Sequence, residues 1–170
     1  SITEIAASKS WGEVCQSIER LMIYGTYPAV FTDPAHAELT LRNYCDGMLY
    51  KDLFSLANIR HNDKFMYLVK HLAYNIGSEV NYDNLAREIG LNKTTVADYI
   101  QLLEQYFIVK ICPSFSRNLS NELKKGKKVY FCDNGIRNAI IGDFSPMSAR
   151  RDQDAAALWE NFFFMERVKL

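Results

Sequence analysis

A short segment near the middle of the chain combines side chains whose types and spacing suit contacts with phosphate groups. Lys93 and Thr94 directly follow Asn92, a residue type that commonly caps the first turn of a helix. A lysine ammonium can pair with a phosphate or reach a guanine edge, and a threonine hydroxyl can donate to a phosphate. The free amides of a helix N-terminus also favour an anion. Asp98 and Gln101 lie on the same predicted helix face and complete the candidate nucleic-acid-binding set of this helix.

A basic segment follows this predicted helix. From residue 109 to residue 128 the sequence has six lysine or arginine residues and only one glutamate. The candidate phosphate contacts within it are Arg117, Lys124, Lys125, Lys127 and Lys128. The whole chain has 20 Lys+Arg and 20 Asp+Glu, so its net charge gives no general attraction to nucleic acid or to an anionic membrane. Any attraction to phosphates therefore has to come from this local patch.

Small and branched apolar residues around these side chains predict two short helices that cross at a steep angle. Ala86 allows the second helix to approach, Gly90 gives the tight turn its backbone freedom, and Val96 closes the pocket from the following helix. Together they are typical of a helix-turn-helix, with residues 93 to 101 in the position that could enter the major groove of DNA.

The flanking segments predict a mainly α-helical fold that contains a winged form of this motif. Helical patterns cover residues 11–22, 38–57 and 63–76, and the strand-like runs 107–112 and 128–132 predict a small β-hairpin wing. Asp133 is placed to cap a further helix. The predicted domains are a helical region at 1–60, a winged helix-turn-helix at 63–133 and a C-terminal helical segment at 134–170.

Composition and motifs exclude several classes of protein. A chain of 170 residues with 48% apolar residues and four prolines is neither collagen-like nor disordered. Its four cysteines lack paired metal-ligand spacing, which favours reduced thiols in a cytoplasmic protein. The sequence has no long apolar run and no secretory signal, so we expect no membrane association. It also lacks the phosphate-loop, dinucleotide-binding, zinc-hydrolase and serine-hydrolase motifs, so we expect no catalytic site, metal or cofactor in this chain.

Several segments of the sequence match a known family in their order along the chain. They are residues 24–28, 50–52, 85–104, 128–137 and 159–161. In these segments the chain resembles the C-terminal region of bacterial and archaeal AAA-type ATP-binding proteins, a domain of unknown function in which a winged helix continues into a restriction-endonuclease-like module.

The resemblance implies a larger parent protein. An ATPase core that binds ATP and Mg²⁺ would precede Ser1, and nuclease-like strands would follow Leu170. Glu160 occupies the place of the glutamate that opens the endonuclease-like module, but the acidic residues and lysine that would complete a magnesium site are missing. The resemblance thus implies that this chain is a fragment that does not cut DNA.

Two functions stay open at the level of sequence. The motif and the basic hairpin favour binding of double-stranded DNA through its phosphates. Asp98 and Glu104, however, leave the helical face nearly neutral, and Phe162, Phe163 and Phe164 cannot all be buried on one helix stripe. Those features favour a docking module, which would contact the ATPase domain or associate with a second copy of the chain.

Overall fold

The computed structural model describes residues 10–47, 51, 53–56, 59, 61–113 and 127–169. Within them the chain is mainly helical and carries one small antiparallel sheet, as the sequence predicts. The helices are α1 (Trp11–Tyr24), α2 (Pro28–Thr32), α3 (Ala37–Cys45), α4 (Leu53–Leu56), α5 (Asn62–Tyr74), α6 (Tyr82–Ile89), α7 (Lys93–Gln105), α8 (Asn134–Ile141) and α9 (Asp152–Val168). Short 3₁₀ turns cover Pro34–His36 and Met147–Ala149. Among the described helices, none combines the length and apolar character that crossing a membrane requires.

The sheet has three strands, β1 (Glu79–Val80), β2 (Val109–Pro113) and β3 (Lys127–Phe131), in the order β1-β3-β2. Both pairings are antiparallel, with Val109 opposite Phe131 and Val80 opposite Lys127. Strand β1 was not predicted, because two residues are too few to show an alternating pattern. The central strand β3 therefore contacts a neighbour on each side.

One sequence-based boundary was wrong. The strand predicted to start at Phe107 starts at Val109, because Phe107 has a φ of 56° and its N–H bonds back to the Glu104 carbonyl at the end of α7. A left-handed residue of this kind belongs to a turn and does not continue a strand. The helix predicted over 38–57 is described as α3, which ends at Cys45, and α4, which begins at Leu53. Of the residues between them, 46, 47 and 51 have π-helical geometry, and residues 48–50 and 52 lie outside the described part of the chain.

One hydrophobic core joins the helices to the sheet. Its buried residues run along the chain from Val30 to Ile136, so the core crosses the boundaries predicted near residues 60 and 133. Helix α8 packs on α1, α3 and α5 and contributes Ile136 to this core. In a smaller hydrophobic cluster, Met22 of α1 packs with Leu158 and Phe162 of α9. Trp11 opens the helical pattern of α1 but is 80% exposed, so it takes no part in this cluster.

Buried polar side chains hold α8 and α9 in place. The fully buried Arg137 donates from Nε to the Ala73 carbonyl at 2.7 Å and from Nη2 to Asp154. Arg150 donates to the other oxygen of Asp154 at 2.7 Å. Burial acts to raise the pKa of Asp154, but the hydrogen bonds from these two guanidinium groups hold it below its ordinary value. The carboxylate therefore stays ionised between two buried cations.

Candidate nucleic-acid interface

Helices α6 and α7 are joined by a short turn whose ends are fixed by side-chain caps. Asn81 opens α6 by accepting from the N–H groups of Asp83 and Asn84, at 3.0 and 3.1 Å. Gly90 ends α6 with a φ of 69°, a conformation that glycine adopts without strain. The Leu91 N–H then bonds back to the Ala86 carbonyl at 2.9 Å. Local hydrogen bonds thus define the turn before the second helix starts.

Two of the small and branched residues on which the prediction of this turn rests are buried. Ala86 is 4% exposed and Val96 is fully buried, and both belong to the central core. Lys64 of α5 donates to the Gly90 carbonyl at 2.6 Å, which ties the preceding helix to the turn. The pair α6 and α7, with α5 behind it, is therefore a packed unit supported by the core.

Two of the predicted contact residues make local hydrogen bonds. The Asn92 side chain caps α7 by accepting from the Thr95 N–H at 2.8 Å. The Thr94 hydroxyl donates to the same Asn92 oxygen at 2.6 Å. Asn92 is therefore a capping residue, and the Thr94 hydroxyl has to leave its partner before it can donate to a phosphate. Asp98 and Gln101 are exposed on the same helix.

Lys93 reaches back to the first turn of α6. Its Nζ lies 2.7 Å from Asp83 Oδ2, and both side chains are more than half exposed. Exposed ion pairs of this kind contribute little stability, because water solvates both charges well. Lys93 is therefore accessible to another anion, but it has an intramolecular competitor.

The two lysines of β3 lie on opposite faces of the strand. Lys127 is exposed, and its Nζ lies 5.9 Å from the ring centroid of Tyr82, in the first turn of α6. Lys128 instead lies 3.1 Å from Glu160 Oε1 of α9. Successive side chains of a strand alternate in this way. The structure thus directs Lys93 and Lys127 to the start of α6, and directs Lys128 away from it.

Several of the remaining predicted contact residues lie outside the part of the chain that the structure describes. Arg117, Lys124 and Lys125 lie outside the residues that the structure describes. Lys110, another cation of the basic segment, pairs with Glu104 at 3.1 Å. Glu160, which the resemblance gave a place in an endonuclease-like module, accepts from the Tyr130 hydroxyl at 2.7 Å and from Lys128. These two hydrogen bonds, with the Tyr130 bond the stronger influence, hold the pKa of Glu160 below its ordinary value.

A second polar centre, around Asp133, was only partly visible in the sequence. Asp133 caps α8 as predicted, accepting from the Ile136 N–H at 3.1 Å. It also accepts from the Thr26 N–H at 2.6 Å and from the Thr26 hydroxyl, which no sequence pattern paired with it. The loop and helix approach so closely that a Cβ on Gly25 would lie 1.9 Å from Asp133 Oδ1. Burial raises the pKa of Asp133.

This centre is well suited to a structural role. The Asp133 oxygens are engaged by backbone and hydroxyl donors, so the carboxylate is already satisfied. Within the described part of the chain, no group of three or more His, Cys, Asp or Glu side chains is placed to hold a metal ion. Asp133 therefore joins the α1–α2 loop to α8.

The chain belongs to the family described as "Domain of unknown function (DUF8612)", whose family model matches residues 15–147. This range includes α6, α7 and the whole sheet. The chain is similar to an uncharacterized protein of Haemophilus influenzae, with 24% identity over 152 residues that cover 86% of this chain and 36% of the relative. Uncharacterized proteins of Mycobacterium bovis and Mycobacterium tuberculosis are each 23% identical over 154 residues, covering 89% of this chain and 35% of each relative.

The chain spans about a third of the length of these relatives. No solved structure matches it.

Proposed function

We propose that residues 63–133 form a winged helix-turn-helix that binds double-stranded DNA chiefly through its phosphates. The order of elements from α5 to β3, in which helix, strand, helix, helix and two strands follow one another, is compatible with this assignment. The observation that carries the proposal is the convergence of Lys93 and Lys127. They come from different elements, and both reach the first turn of α6.

A phosphate at the start of α6 would meet two lysines, whereas the Asp83 and Asn84 amides of this helix start are already bonded to Asn81. Lys93 would exchange the Asp83 carboxylate for the phosphate, and Lys127 would need no exchange, since its nearest described partner is the Tyr82 ring. Arg117, Lys124 and Lys125 add positive charge to the same hairpin in the sequence. Lys128 would contribute only after leaving Glu160.

The salt dependence of binding tests this proposal. A fluorescence-anisotropy titration of the chain against a labelled duplex is performed at 50 and at 200 mM salt. Each neutralised phosphate contributes a slope of about −0.9, so roughly four contacts predict an affinity loss of about 150-fold between the two conditions. Absence of binding at the lower salt concentration would refute the proposal.

The neighbouring lysines of β3 provide a matched pair of variants. Lys127→Gln should weaken binding about fivefold and reduce the salt slope by about 0.9, because a phosphate contact is lost. Lys128→Gln removes the same charge from the other face of the strand and should change the affinity less. Equal losses in the two variants would contradict the placement of the phosphate at the start of α6.

We further propose that the chain positions a cytoplasmic AAA-type ATP-binding protein on DNA. About two thirds of each relative lies outside the matched segment, which leaves room for an ATPase core. In that case the ATP and Mg²⁺ sites belong to the rest of the parent protein, and the chain itself binds without catalysing. The test is ATP hydrolysis by a whole relative, which duplex DNA should stimulate.

The second candidate is a docking module that binds the ATPase core without contacting DNA. The pairing of Lys93 with Asp83 and of Lys128 with Glu160 favours it, because both pairs lower the net charge that the surface presents. Gel filtration of the chain with the remainder of the parent protein separates the two functions. A stable complex, together with no DNA binding at low salt, would support docking.

A further inference from the structure

Helix α9 carries an exposed aromatic stripe on the side that faces away from the core. Trp159 is 38% exposed and Phe163 is 57% exposed, and their rings stack with centroids 5.4 Å apart. Leu158 and Phe162, on another side of the same helix, are buried against α1. The two stacked rings therefore form one small contiguous apolar patch on a water-facing helix surface.

The two ends of this stripe carry opposite charges. Asp152 and Ala156 precede Trp159, and Arg167 follows Phe163, at the steps of three and four residues that align side chains along a helix. All of these side chains are exposed. Within the described part of the chain, neither Asp152 nor Arg167 forms an ion pair. The stripe is therefore acidic at its start, aromatic at its centre and basic at its end.

We propose that this stripe binds the same stripe of a second copy of the chain in an antiparallel, two-fold symmetric contact. Asp152 and Arg167, and likewise Ala156 and Phe163, lie at equal distances from the midpoint between residues 159 and 160, and Trp159 lies next to this midpoint. Asp152 of one copy would therefore face Arg167 of the other, and the small Ala156 would face the large Phe163. A parallel arrangement would place like charges together. A closed two-fold contact also buries the aromatic rings of both copies at once.

The exposed aromatic surface limits the strength of this contact. Trp and Phe side chains bury roughly 150–250 Å² each, so the exposed fractions of Trp159 and Phe163 leave about 200 Å² per copy to be covered. This is well below the area of a standard stable interface, so we expect only a weak, reversible dimer. The proposal is independent of DNA binding, since α9 lies outside residues 63–133.

Sedimentation velocity of the 170-residue chain, without DNA and over a range of about 5 to 500 μM, tests self-association. We expect a reversible monomer–dimer equilibrium. Phe163→Ser should weaken the dimer at least tenfold, whereas Phe31→Ser, a matched change of a 53% exposed phenylalanine outside α9, should not. A monomer at all concentrations, or equal weakening by both variants, would overturn the proposal.

A charge exchange tests the antiparallel arrangement. Asp152→Arg and Arg167→Asp should each weaken dimerisation about tenfold or more, and the double variant should return to within about threefold of the original. Both changes oppose the helix dipole, so recovery in the double variant cannot come from a more stable helix. A double variant as weak as the single variants would overturn the arrangement. Circular dichroism confirms that each variant remains folded.

Discussion

Asp83 is the residue whose removal most directly tests how phosphates reach this surface. Its carboxylate lies 2.7 Å from the Lys93 ammonium, at the start of α6, where the proposed phosphate would also lie. At about 5 Å in water, two like unit charges repel by about 0.8 kcal/mol, which corresponds to about a fourfold change in affinity. Asp83→Asn should therefore raise the affinity for duplex DNA about fourfold at low salt, and it should steepen the salt slope because Lys93 is then available to a phosphate.

The assay is the anisotropy titration at two salt concentrations, with Asp33→Asn as the control. Asp33 is exposed, pairs with His36 and lies outside α6 and α7, so this control changes the net charge equally at another site. We expect a small cost in stability from Asp83→Asn, because an exposed pair contributes at most about 1 kcal/mol. Equal affinities for the two variants, or weaker binding by Asp83→Asn, would refute the reasoning.

Two further predictions concern stability. Gly25→Ala should lower the free energy of unfolding by at least about 2 kcal/mol, since Gly25 has a φ of 73° and its new Cβ would overlap Asp133. The control is Gly12→Ala, whose new Cβ would have no atom within 4 Å and which should be neutral or slightly stabilising. Urea unfolding measures both variants. The lowered pKa of Asp154 means that its contribution is present above the ordinary pKa of 3.8 and is lost as the pH falls through the folded-state value. Asp154→Asn leaves Arg137 without its anionic partner, so it should lower the free energy of unfolding by about 3–5 kcal/mol at neutral pH. It should also reduce the further loss of stability that occurs as the pH falls into the acidic range. If the free energy of unfolding of this variant fell as steeply at acidic pH as that of the original chain, this account would be contradicted.

The turn between α6 and α7 could be predicted because its signals are local. Gly90 and Asn92 act within a few residues of themselves, one as a left-handed stop and the other as a cap. Asp133 was predicted as a cap for the same reason. Such residues satisfy backbone groups at helix ends, and that requirement can be recognised from sequence without knowing the tertiary fold.

The features that could not be predicted from the sequence depend either on contacts between residues far apart in the chain or on a backbone conformation that is unusual for the residue type. Thr26 and Asp133 are hydrogen-bonded although 107 positions separate them, and no periodic pattern links such a pair. Phe107 has a strand-forming side chain, but the end of α7 imposes a positive φ on it. The partner of Lys93 was missed as well, because Asp83 is ten positions away on another helix.

Asn161 of α9 affects which lysine of β3 faces α6. Its Oδ1 accepts from the Phe131 N–H and its Nδ2 donates to the Phe131 carbonyl, both at 2.8 Å. A side chain of α9 therefore binds the backbone of β3. A slip of one residue would reverse which lysine faces α6. A neutral amide some thirty positions further along the chain thus supports, together with the pairings of β3 with β1 and β2, the register that places Lys127 beside α6.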